Sequence, residues 1–162
     1  MPRFRLRDLS RDAKLLVTAF LTTLSLGYAS GLAYVFMTTE MRPGGVADHY
    51  AGSEDEQKMK FAKSPLELAQ TTHNHVLSIS LLFAVLGAFL LCVEMPARVR
   101  RFLILEGFVS IVTTFASLWL VRYVSPLFSW LMLLSGIGMA ATFFASVAVV
   151  LRETWSRGDD RG

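Results

Sequence analysis

The sequence predicts an all-α fold, a four-transmembrane-helix bundle with both termini cytoplasmic and a long external loop between helices 1 and 2. Three observations predict it. Hydrophobic residues make up 53% of the 162, and most of them fall in four runs, Leu15–Met37, Val76–Val93, Phe102–Val121 and Pro126–Leu151. Each run is long enough to cross about 30 Å of hydrocarbon at about 1.5 Å rise per residue. The 16 basic residues are also segregated: Arg3, Arg5, Arg7, Arg11 and Lys14 precede the first run, Arg98, Arg100 and Arg101 separate the second from the third, and Arg152, Arg157 and Arg161 follow the fourth. The positive-inside rule assigns that side to the cytoplasm, and an even number of spans puts both termini on it.

The same composition excludes several classes. Charged residues are 18% of the chain, against roughly 25% in soluble domains, and the mean hydropathy is +0.47. A disordered chain, a disulfide-stapled secreted module and a basic nucleic-acid-binding domain are all ruled out. The net charge of +3 marks the cytoplasmic face and implies no nucleic-acid partner. The expected partners are the lipid bilayer and other membrane or periplasmic subunits. Residues 1–162 read as a single integral membrane domain.

The first span follows a basic arm at residues 1–12. A signal peptide competes for this run, but the apolar stretch continues past the only small-residue site, near Gly27 and Ala29, so an uncleaved helix is expected. Gly27-Tyr-Ala-Ser-Gly31 forms a GxxxG pair. It reads as an intramolecular packing face ahead of a homodimer seam. The external segment Thr38–Thr72 carries six acids against four bases. In it Arg42-Pro-Gly-Gly45 reads as a turn and Ala51-Gly-Ser-Glu-Asp-Glu56 as a polar loop, without the ligand spacing of a calcium site.

Ser64-Pro-Leu-Glu67 has the form of a capping box with proline at the first helical position. The second helix is therefore expected from near Pro65 to about Met95, roughly 46 Å, longer than the bilayer core. Its first three turns stand at or above the external surface. Leu66, Ala69, His73 and Leu77 share one stripe of this extension, and Leu68, Thr72, His75 and Ile79 another. Pro96 helps to end that helix, and the lone Cys92 near its end reads as a small apolar residue.

The turn Arg122–Ser125 is so short that the third and fourth helices form an antiparallel hairpin. Trp119, Tyr123, Phe128 and Trp130 cluster there as an outer aromatic belt, with Trp155 marking the inner one. Ser135-Gly-Ile-Gly138, with Ala140 and Ala141, gives a second small-residue surface.

The residues with chemistry to offer are few. All three histidines, His49, His73 and His75, belong to the external half. Neutral imidazole ligates copper, zinc, iron and haem, and near the interface it can hydrogen-bond a quinone headgroup. His73 and His75 project about 200° apart on a regular helix, so they chelate one metal only if the helix breaks. Otherwise each faces a different neighbour, and a single-metal site recruits His49, Asp48, Glu54, Met41 or Met59. Copper or haem b is the cofactor such a set would suit. The competing reading makes both histidines interfacial residues bonded to loop carbonyls, and a pH- or partner-sensing role is a third.

Glu106 is the only carboxylate inside a hydrophobic run, and an intramembrane ionisable group is by default a candidate functional residue. It lies near the cytoplasmic edge, where it can snorkel, pair with Lys14 or Arg152, or serve proton uptake or a quinone. Tyr28, Ser30, Tyr34, Ser110, Thr113, Thr114 and Ser117 add hydroxyls that usually bond their own helix. No acyl-transfer triad, Walker motif, dinucleotide fingerprint or pair of catalytic carboxylates is present. No catalytic residue is assigned.

The stretch Tyr50-Ala-Gly-Ser-Glu54, Phe61-Ala-Lys-Ser64, Glu67-Leu68 and Thr72-His-Asn-His75 resembles a family of small four-helix bacterial inner-membrane proteins. The resemblance covers about 30 residues and the span count. It implies a multi-pass protein of the bacterial inner membrane that accompanies respiratory or multihaem cytochrome systems. Two functional expectations follow. The first is a subunit of an electron-transfer system that contacts haem, metal or quinone through His73, His75 and His49. The second is a structural or assembly subunit with no cofactor of its own.

Overall fold

The computed structural model describes residues 5–53 and 59–156. A short 3-10 turn, Leu6–Asp8, leads into α1 (Arg11–Thr39), and α2 (Pro43–Tyr50), α3 (Pro65–Leu91), α4 (Ala97–Tyr123) and α5 (Phe128–Trp155) follow. Four of these, α1, α3, α4 and α5, are long and apolar enough to cross a membrane. Every apolar run of the sequence lies largely within one of them. The external Glu54-Asp-Glu56 stretch, Lys58, Arg3, Arg157 and Arg161 lie outside the described residues.

Local chemistry sets the helix ends. Ser10 caps α1 by accepting the Ala13 N–H at 3.3 Å, which satisfies one of the free first-turn donors. The capping box of α3 forms as the sequence predicts: Ser64 Oγ accepts the Glu67 N–H at 3.2 Å, and Glu67 Oε2 accepts the Ser64 N–H at 2.8 Å. At its other end α3 stops at Leu91, short of the expected Met95. The Cys92 and Val93 N–H groups turn back to Phe89 and Leu90, a tightened last turn that closes the helix before Pro96 is reached.

The segment Arg42-Pro-Gly-Gly45 is not the turn that its composition suggested. Pro43 occupies the first position of α2, where its missing N–H costs nothing. The reversal falls one step earlier, at Glu40 and Met41, whose φ angles of 54° and 49° are left-handed. Gly45 serves close approach: a Cβ there would lie 1.9 Å from the Thr39 carbonyl oxygen. The chain thus folds α2 back over the end of α1, and Val46 is fully buried.

The four long helices pack around an α4–α5 antiparallel hairpin, with α3 against both and α1 along α5. Phe143 is the hub. It stacks on Tyr28 of α1 at 4.2 Å and meets Phe83 of α3 edge-on at 6.5 Å. Helix α3 approaches α4 closely because Gly107 has no side chain; a Cβ there would fall 2.3 Å from the Phe83 ring. Thr114 Oγ1 donates to Ser135 Oγ at 2.8 Å across the hairpin.

One end of the bundle gathers the first and last described residues and the α3–α4 turn. Arg5 and Arg7 pair with Glu94 at 2.9 and 3.2 Å, and Leu6 is buried beneath them. The opposite end is capped by α2 and the return segment. There the Ser53 and Lys60 backbones pair at 3.0 and 3.3 Å, the Lys63 N–H donates to the Tyr50 carbonyl at 3.1 Å, and Arg122 Nε donates to the Lys63 carbonyl at 3.0 Å.

Candidate functional site

The entrance of α3 carries the His-x-His pair on an unbroken helix. Regular geometry therefore separates the two rings. Leu66, Ala69, His73 and Leu77 form an exposed stripe, whereas Leu68 is buried and Thr72 and Ile79 are half-buried on the other. His75 is held by its own helix, with Nδ1 2.9 Å from the Thr71 carbonyl, and its ring lies 5.4 Å from that of Phe115. Beside it Trp119 Nε1 donates to Thr72 Oγ1 at 3.1 Å and ties α4 to the entrance. Trp119 also stacks on Tyr123, so these two of the expected belt residues share one patch.

His49 sits elsewhere, on the short α2. It is half-buried and meets the Tyr50 ring edge-on at 4.7 Å. Burial first, then Lys63 and Lys60, lower its pKa from the usual 6.5. Burial also pushes the neighbouring Tyr50 phenol up to about 12. Among the described residues no group of three or more His, Cys, Asp or Glu side chains is placed to hold a metal. Glu54, one of the candidate ligands, lies outside the described residues.

Glu106 neither snorkels to an ion pair nor meets Lys14 or Arg152 among the described residues. Its Oε1 accepts from Ser110 one helical turn on, and a Cβ on Gly138 of α5 would lie 2.7 Å from that oxygen. Its Oε2 is buried without a hydrogen-bond partner among the described residues, as are the Tyr28 and Ser146 hydroxyls. Gly138 thus leaves room for a carboxylate, which the small-residue pattern alone did not indicate.

The GxxxG pair departs from its expected role. Gly27 and Gly31 are exposed, and a Cβ at either meets nothing within 4 Å. The close approaches inside the chain occur instead at Gly107, Gly45, Gly138 and Gly52 and, more loosely, at Gly87 against Ile104. In sequence the first of these was visible only as the small member of a Gly107, Ser110, Thr114, Ser117 stripe at helical spacing. Arg122 was also missed. Its Lys63 bond and its guanidinium 5.1 Å above the Tyr123 ring fasten the return segment to α4. An arginine next to Tyr123 in a belt that also holds Trp119, Phe128 and Trp130 was the available clue.

Four apolar helices of membrane-spanning length, a polar cap and a basic opposite end define a multi-pass α-helical membrane protein. Residues 40–161 match a family model described as a transmembrane helical domain, and the chain belongs to that family. No curated protein and no solved structure matches it.

Proposed function

We propose that the protein is a structural or assembly subunit of a larger complex in the bacterial inner membrane, packing through the open face of α1 against a transmembrane helix of another protein. The observation that carries this reading is the empty space beside Gly27 and Gly31. A glycine inside a helix costs about 1 kcal/mol relative to alanine. Facing lipid, it returns nothing, because its benefit is close backbone approach by a second helix. Helix α1 is the least buried of the four spans, which supports a complement for this face outside the chain.

The test uses gently extracted protein with wild-type and Gly31→Leu chains. Wild type is expected to co-migrate with a membrane partner at fixed stoichiometry, and Gly31→Leu to lose the partner with its own unfolding temperature unchanged. Equal retention of the partner by both chains would overturn the reading.

A second reading rests on the exposure of His73 at the entrance of α3. In it the subunit serves an electron-transfer system and lends a single imidazole to a haem, metal or quinone held by a partner. It predicts a Soret band or bound copper in the intact assembly that is lost on His73→Ala. Full spectral and metal content after that substitution would exclude it.

A further inference from the structure

We infer that the cleft between the N-terminal arm and the α3–α4 turn is a binding site for the phosphate headgroup of an anionic lipid. The cleft has a volume of about 230 Å³, and Arg5, Glu94, Met95, Arg100 and the last residue of α3, Leu91, line it. Two kinds of wall meet there, one cationic and one apolar, at the level where the spans end and phospholipid headgroups begin.

The cationic wall is built, not incidental. Glu94 binds Arg5 through both carboxylate oxygens, at 2.9 and 3.4 Å, and Arg7 at 3.2 Å. One carboxylate therefore positions two guanidinium groups and leaves their cluster positive. Arg100 faces the cleft from α4. It is half-buried, and its guanidinium has no hydrogen bond or ion pair to the protein among the described residues. Arg11, Arg98, Arg101 and Arg152 at the same end are exposed and do not line this cleft.

The Arg100 guanidinium carries five donors in a fork that suits phosphate oxygens, and none of them is engaged by the protein among the described residues. Helix α4 begins beside it without a side-chain cap, so its first-turn N–H groups add partial positive charge on the same side. The apolar wall selects between a free anion and a lipid. Leu91 is 65% exposed and continues the flank of α3 toward the hydrocarbon, giving acyl chains a path directly out of the cleft. Basic pockets between spans bind anionic headgroups on the same physical grounds.

The test is retention of phosphatidylglycerol by the purified full-length protein, with phosphatidylcholine and inorganic phosphate as separate arms. Three variants accompany it: Arg100→Gln, Arg100→Lys and, as a control at the same end, Arg152→Gln. Wild type is expected to retain phosphatidylglycerol in preference to phosphatidylcholine and to bind inorganic phosphate negligibly. Arg100→Gln should weaken retention about fivefold, Arg100→Lys should keep part of it, and Arg152→Gln should change nothing. Equal losses in Arg100→Gln and Arg152→Gln would reduce the effect to diffuse surface charge and overturn the site. Equal binding of phosphatidylcholine, or inorganic phosphate binding as tightly as the lipid, would overturn its assignment to an anionic lipid. Because the Arg100 side chain bonds nothing among the described residues, unchanged thermal unfolding of Arg100→Gln separates lost binding from lost structure.

Discussion

Gly45 illustrates how much of the cap depends on single residues. A Cβ at this position meets the Thr39 carbonyl, main chain that cannot move aside as a side chain can. Gly45→Ala is therefore expected to destabilise the α1–α2 corner by about 1–3 kcal/mol, seen as a lower unfolding temperature, whereas Gly27→Ala should not lower it. His49 makes the cap sensitive to pH. Its folded pKa lies below 6.5 because of burial, Lys63 and Lys60, opposed by Glu67. The unfolded chain then binds more protons, so stability from a neutral His49 is present above about pH 6.5 and lost as pH falls below that through the lower folded pKa. Wild type is expected to lose more unfolding temperature than His49→Gln between pH 8 and pH 5; equal losses would show that His49 is not the group responsible. At this scale the sequence was only partly legible. Glu106 stood out as the one acid in an apolar run, but its Ser110 partner and the gap at Gly138 depend on helix rotation, which composition does not encode.

Among the elements, α3 was the most legible, because its start is written in four adjacent residues, the first and last of which, Ser64 and Glu67, bond each other. Its end was misjudged by four residues, since the last turn closes through backbone bonds of Cys92 and Val93 with no side-chain marker. The short α2 was hidden for a related reason: proline and glycine serve both turns and helix starts, and the close contact that distinguishes the two comes from residues outside the window. Helix α1 depends on a narrow stripe, namely Tyr28 on Phe143 and the Trp155 Nε1 donation to Thr18 at 2.9 Å. Tyr28→Ala is expected to speed amide exchange along α1 while leaving the α4–α5 hairpin protected. Uniformly faster exchange in all four helices would contradict this division.

For the molecule as a whole, span count and the segregation of arginine were readable directly, because bilayer thickness and charge placement act on stretches of sequence and not on single contacts. The association of the bundle was not. The most obvious packing motif, Gly27 with Gly31, faces away from it, and the contacts that join the helices use Gly107, Phe143 and the Thr114–Ser135 bond. In the proposed reading, that motif is the docking face for a helix of another protein. Photocrosslinking in intact membranes from a reactive residue at position 31, with position 134 on the exposed side of α5 as reference, tests this most directly. The account predicts one discrete protein adduct from position 31, heavier than the chain by the mass of a different membrane protein, and only lipid adducts from position 134. Lipid adducts alone from both positions, or an adduct of twice the chain's mass from position 31, would contradict it.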